Sequence, residues 1–236
     1  EEPCKQFGLC GGYAFLIGWV LILLNLLVNT DNPKDFIPKV LFPRSRILVF
    51  CKAPQPGKVK TRLAKSSGEA EAAKIHEYLA WHCLQQVTGF SLAPVELWCS
   101  PGTEDEFFAQ CQKAFSVSLR KQQGEDLGQR MLHAVSETLA DGNNPIVIGT
   151  DCPGFTRAYL RQALSVVDLG KTVIGPAEDG GYVLLGMRQV DPAIFVDMPW
   201  GTPAVFNETV RRLGSNAEIL SPLWDVDYAK DLQRLR

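Results

Sequence analysis

From Arg46 onward, short β-branched runs alternate with longer amphipathic stretches, and this alternation constrains the fold more than any other feature. Arg46–Lys52 (RILVFCK) reads as a buried strand, and Glu69–Val87 as a helix with Ala72, Ile75, Leu79 and Leu84 near helical spacing. Val95–Cys99, Val117–Arg120, Pro145–Gly149 and Thr172–Gly175 are further strand candidates. Helices are expected between them around Glu104–Lys113, Leu127–Leu139 and Thr156–Val167. Strands that alternate with helices make an α/β fold, a mostly parallel sheet with helices on both faces. Ligands on such sheets bind outside the carboxyl ends of the strands, so the residues just after each strand are the place to look for chemistry.

With 236 residues there is room for one domain of about 200 residues and an appendage. A formal charge of -2 exerts no global pull on nucleic acid, so no nucleic-acid partner is expected and any anion site must be a local cationic cluster. The seven cysteines are scattered with no C-x-x-C pair, which argues for a reducing compartment and against a structural zinc site.

The appendage is the N-terminus. Residues 7–28 (FGLCGGYAFLIGWVLILLNLLV) carry no charge, and about 22 residues make a helix of roughly 33 Å, enough to cross a bilayer core. A membrane tether is expected here; a signal peptide and a docked hydrophobic helix are the alternatives. Lys34, Lys39, Arg44 and Arg46 follow the segment against Lys5 before it, which would place the large domain in the cytosol. If the segment does not span, the protein would be cytoplasmic. Pro33, Pro38 and Pro43 break the linker, so 1–44 are expected as hydrophobic helix and linker and 45–236 as the domain.

Four clusters fall at strand ends. The first runs from Lys52, Ala53 and Pro54 through Lys58 and Lys60 to Arg62, where prolines and a glycine shape a loop and cations gather at a strand-to-helix junction, as a polyphosphate would require. It lacks the spacing of a Walker loop. The second is Gly149-Thr150-Asp151-Cys152-Pro153, where Asp151 could bind a hard cation or cap the next helix. The third is Glu178-Asp179-Gly180-Gly181, either a hairpin turn or a close approach to a ligand. The last is Asp225-Val226-Asp227, whose carboxylates would repel unless a shared metal ion or nearby Lys and Arg relieved them. Asp126 and Arg130 open a helix, Asp126 as its cap and Arg130 within reach of a phosphate or base.

Taken in order, VFCKAPQPGKVKTRL, GEDLGQRM, VIGTDCP, IGPAEDGGYVLLG, PWGTPAVF and DVDYAKDL resemble the bacterial glycosyltransferase-like family of radical-SAM/selenodomain-associated transferases. The resemblance covers Arg46 to Leu235. It implies a GT-A-like (nucleotide-diphospho-sugar transferase) three-layer sandwich, phosphate contacts from Lys60 and Arg62, and Asp151 and Asp227 as metal ligands with Asp225 as fallback. Tyr228 stands where the pattern has a small hydroxyl residue. The function so implied is a Mg²⁺- or Mn²⁺-dependent transferase using a nucleotide-activated donor and a small-molecule acceptor, with Glu178 or Asp179 acting on the acceptor. Glycosyl transfer from a nucleotide sugar ranks first, nucleotidyl transfer from a nucleoside triphosphate second, and a non-catalytic nucleotide-binding module third.

Overall fold

The computed structural model describes residues 40–235. The uncharged segment 7–28 lies outside them; among the described residues no helix is long and apolar enough to cross a membrane. The strands are β1 (Ser45–Lys52), β2 (Val95–Ser100), β3 (Ser118–Lys121), β4 (Asn144–Gly149), β5 (Thr172–Pro176), β6 (Tyr182–Gly186) and β7 (Ala217–Ile219). The helices are α1 (Thr61–Ser67), α2 (Glu69–Gly89), α3 (Glu106–Phe115), α4 (Leu127–Ala140), α5 (Arg157–Asp168) and α6 (Val205–Leu213).

All seven strands form one sheet in the order β3-β2-β1-β4-β6-β5-β7. β1 is central and pairs in parallel on both sides, Val49 standing beside Leu97 of β2 and Ile148 of β4. Such a strand is buried on both faces, which is why RILVFCK is a nearly continuous apolar run. β6 is the exception, antiparallel to both β4 and β5. The hairpin between β5 and β6 is the Asp-Gly-Gly turn: Ala177 N–H donates to the Gly181 carbonyl at 3.0 Å, and Asp179 Oδ1 accepts from Gly181 N–H at 2.9 Å. Gly180 has φ 92°, and a Cβ there would lie 2.4 Å from the Pro203 carbonyl oxygen, so only glycine fits.

Strand side chains alternate between faces. Ile47, Val49 and Cys51 point into a core shared with α2, α3 and α5, where Leu84, Phe108 and Leu164 are fully buried. Leu48 and Trp98 point into a second core with Met131, Ala134 and Val135 of α4, against which Phe206 and Val210 of α6 pack. The result is three layers, helix on sheet on helix. Each fully buried Leu or Ile contributes about 1.5–3 kcal/mol.

Three helices begin on the caps their sequences supply. Asp105 Oδ1 accepts from Phe107 N–H, Asp126 Oδ1 from Gln129 N–H at 2.8 Å, and Thr156 Oγ1 from Tyr159 N–H. Phe42 already packs against the first core, and its N–H reaches the Leu92 carbonyl at 2.8 Å.

Candidate active site

In this strand order β1 connects by way of α2 to β2 on one side, while β4 is reached from β3 through α4 on the other face. The two connections diverge between β1 and β4, so a crevice opens outside the carboxyl ends of these strands. A cleft of about 690 Å³ occupies that position. It is bordered by Phe50–Lys52, by Lys58–Thr61, by residues 149–152, by the start of α4 with Arg130, and by Asp225.

Lys60 and Asp151 meet at its floor. Lys60 Nζ lies 2.8 Å from Asp151 Oδ1 and 3.7 Å from Asp227 Oδ1, with only 2% of its side chain exposed. It also donates to the Val226 carbonyl at 2.6 Å. Lys60 is therefore turned inward onto carboxylates rather than left open to a phosphate. Asp151 keeps 43% of its side chain exposed although its Oδ1 is buried, so the other edge of the carboxylate faces the cleft. Burial opposes its ionisation, but Lys60 and then His76 outweigh burial and hold the carboxyl well below its usual range.

Beside this pair, the turn between β5 and β6 brings Asp179 to the C-terminal Asp225 and Asp227, and one ligand oxygen from each lies within 4.8 Å of the others. Asp225 has no hydrogen-bond or ion-pair partner among the described residues. Burial first, then the like charges of Asp179, Asp227 and Asp151, push its carboxyl up to about 6. Asp227 is relieved by cations: Arg62 Nη1 donates to its Oδ2 at 2.6 Å, and the same guanidinium reaches the Gly201 carbonyl. Three oxygen donors in mutual repulsion, one of them unpartnered, fit a hard divalent ion. Asp151 does not belong to this group of three.

The other expected site residues divide. Lys52 and Lys58 are exposed on the cleft wall, and Arg130 borders it while donating to the Gly124 carbonyl at 2.9 Å. Asp126 caps α4 as its position suggests. Ala53 is buried, its N–H tied to the Ser100 carbonyl, and neither it nor Pro54 borders the cleft. Glu178 is separated from Asp179 by its partner: Arg234 holds both carboxylate oxygens at 2.7 and 3.0 Å while stacking 4.4 Å over Trp224. Tyr228 is half exposed, its ring 5.9 Å from the Arg62 guanidinium and 5.5 Å from the Lys230 ammonium.

Three residues gain a place that sequence reasoning did not give them. His76 sits on the buried face of α2; its Nε2 lies 2.9 Å from the Lys52 carbonyl, which can only accept, and its Nδ1 lies 3.8 Å from Asp151 Oδ1. Gln122 is buried at the cleft with Nε2 donating to the Trp98 carbonyl at 2.7 Å, which leaves its Oε1 as the free end of the amide. Asp231 Oδ2 accepts from the N–H groups of Asp227 and Tyr228 at 3.0 and 2.7 Å and so fixes the turn that carries Asp227. The available signals were a polar residue on a helix's apolar stripe for His76 and a polar pair directly after a strand for Gln122.

Residues 83–202 match the family of uncharacterized proteins conserved in bacteria, DUF2064. No curated protein matches the sequence. Among solved structures, a protein of Desulfovibrio desulfuricans G20 provisionally assigned as a nucleotide-diphospho-sugar transferase is 34% identical, with a TM-score of 0.73 over 82% of this chain and 86% of that one. The 4-diphosphocytidyl-2C-methyl-D-erythritol synthase of Anaerococcus prevotii is 8% identical, with a TM-score of 0.54 over 80% of this chain and 96% of its own. The inositol-1-phosphate CTP transferase of T. maritima is 12% identical, with a TM-score of 0.52 over 80% and 91%. At such low identity the latter two share the fold alone. None of these descriptions mentions a radical-SAM or selenodomain association. The chain belongs to the DUF2064 family of proteins conserved in bacteria and is built on the fold of the nucleotide-diphospho-sugar transferases.

Proposed function

We propose that the protein is an enzyme that takes a nucleotide-activated donor into the cleft between β1 and β4, and that its reaction is nucleotidyl transfer with release of pyrophosphate. This reverses the order in which the sequence ranks the two chemistries. The observation that carries the reading is the set of cations on the cleft wall: Lys52, Lys58 and Arg130 border it, and none has a carboxylate partner among the described residues. A nucleoside triphosphate brings about two more negative charges than the diphosphate of a nucleotide sugar. One divalent ion balances the two charges of the diphosphate, and the triphosphate leaves about two more for cations such as these to meet.

In this reading an acceptor oxygen attacks the α-phosphorus, and the bond from that phosphorus to the pyrophosphate oxygen breaks. Lys52 and Lys58 stabilise the charge that develops on the leaving group. Asp179, Asp225 and Asp227 would hold Mg²⁺ or Mn²⁺, which when bound would draw charge from the phosphate oxygens. Arg62 and Asp231 keep Asp227 in place. Asp179, the most exposed of the three carboxylates, is open to an acceptor, while Glu178 is committed to Arg234. Residues 7–28 would tether the domain to a membrane with the cleft in the cytosol; fractionation of the full chain beside a 45–236 truncation tests that part.

Glycosyl transfer is the second reading, favoured by the description of the 34%-identical relative. The two are separated by their products. Purified protein, Mg²⁺ and a small-molecule extract as acceptor source are incubated with nucleoside triphosphates or with nucleotide sugars. Pyrophosphate release that disappears in Lys52→Ala/Lys58→Ala supports nucleotidyl transfer. Nucleoside diphosphate formed only from nucleotide sugars establishes the second reading, and ligand binding without turnover of either donor leaves a non-catalytic module.

A further inference from the structure

Lys60 is coordinated as a bound cation would be. Three oxygens surround its ammonium, from the Val226 carbonyl at 2.6 Å, Asp151 Oδ1 at 2.8 Å and Asp227 Oδ1 at 3.7 Å, and its side chain is 2% exposed. These oxygens come from the end of β4 and from the C-terminal segment, which are themselves laced together by Val226 N–H donating to the Asp151 carbonyl at 3.0 Å. The lysine arrives with its backbone at φ 48°, ψ 43°, a left-handed conformation unfavourable for a residue with a side chain. The anchored ammonium offers a reason for that conformation to persist.

Asp227 is shared. It faces Lys60 on one side and belongs, with Asp179 and Asp225, to the group of three carboxylates on the other. A carboxylate shared between two cationic positions is the arrangement of two-metal phosphoryl-transfer sites. Here one of the two positions is filled by an ammonium that is part of the chain.

We infer that Lys60 is the built-in second cation of this centre: it takes the position between Asp151 and Asp227 that a second divalent ion would otherwise take, so the protein binds one divalent ion and not two. The inference rests on the divalent-ion reading of Asp179, Asp225 and Asp227 given above. It makes Lys60 a positioning residue rather than a phosphate ligand, with Lys52 and Lys58 left to meet the donor. Removing the ammonium would leave two carboxylate oxygens facing each other with no cation between them, which is a vacancy for a hard ion.

The test counts ions. Mn²⁺ alone is titrated into the full-length protein, and free Mn²⁺ is read by electron paramagnetic resonance. Wild type is expected to saturate at one equivalent. Lys60→Met should take a second, and the double variant Lys60→Met/Asp151→Asn should return to one. Lys60→Gln keeps a donor for the Val226 carbonyl while removing the charge, so it gives the same readout should Lys60→Met not fold, as judged by circular dichroism. Two equivalents in wild type, or one in the Lys60 variants, would overturn the inference while leaving the carboxylate group as a metal site. No bound Mn²⁺ in wild type would overturn the metal reading itself, and this inference with it.

Discussion

Replacing Asp225 with asparagine should stabilise the metal-free protein at pH 8 and have almost no effect on its stability at pH 3. The substitution removes a charge and no contact, because Asp225 has no hydrogen-bond or ion-pair partner among the described residues. Its carboxyl is pushed up to about 6 from an ordinary 3.8 by burial and by three neighbouring carboxylates. A group whose pKa is raised on folding favours the folded state in its protonated form, and that contribution is lost as pH rises through about 6. Above that pH the wild type carries the full penalty of the ionised group; below the unfolded-state value it carries none. The shift corresponds to about 3 kcal/mol. Asp225 is only partly buried, and solvent screening reduces this to on the order of 1–2 kcal/mol. For a domain of this size that is roughly 2–8 °C in Tm. The assay is urea and thermal unfolding in EDTA at both pH values. A loss of stability at pH 8, or the same change at both, would refute the reasoning and make Asp225 an ordinary structural carboxylate. The same variant should also lose the stabilisation that Mg²⁺ gives wild type at pH 8, since an ion that binds only the folded state raises its stability by mass action.

Lys52→Ala and Lys58→Ala should each leave unfolding unchanged and weaken nucleotide binding by roughly tenfold or more in calorimetry, the loss of one charge-assisted contact. Gly180→Ala should cost about 2 kcal/mol or more in urea unfolding, since φ 92° and the Pro203 carbonyl at 2.4 Å both exclude a Cβ. Asp126→Ala should cost about 1 kcal/mol through loss of the α4 cap, measured as a lower Tm.

Much of the fold is legible in the sequence because its central strands are buried on both faces. RILVFCK and NPIVIG need no tertiary context to read as strands, and β1, β2, β4 and β5 lie within a residue or so of their expected bounds. β6 escapes because YVLLG follows a glycine pair that draws attention as a turn. β7 is a three-residue edge strand, AEI, with almost no pattern to detect. α1 is a seven-residue helix with Leu63 as its one buried residue, too short to register as periodic.

The site was legible at the level of clusters and not of pairings. The cationic loop, Asp151, the Asp-Gly-Gly turn and the Asp-Val-Asp segment all converge on one end of the sheet. Which cation meets which carboxylate depends on contacts such as Lys60 with Val226, 166 residues apart, which spacing cannot show. Of the two relief mechanisms offered for the Asp-Val-Asp pair, the fold shows the cationic one, and the ion belongs to the proposal. Arg62 and Lys60 meet Asp227, while Asp225 joins Asp179 where an ion would fit. Glu178 and Asp179 are adjacent in sequence yet divide between Arg234 and the carboxylate group, because consecutive residues in a tight turn point apart.

The central claim is that the cleft between β1 and β4 is a metal-dependent nucleotide site, and titration calorimetry of the purified protein tests it most directly. Each nucleoside triphosphate and a set of nucleotide sugars are titrated in Mg²⁺ and again in EDTA, with wild type and Asp225→Asn. The account predicts that one class of nucleotide binds at one equivalent in Mg²⁺, and that binding weakens sharply in EDTA and in the variant. Absence of binding by every nucleotide, or binding that is equal in Mg²⁺ and EDTA, would contradict it.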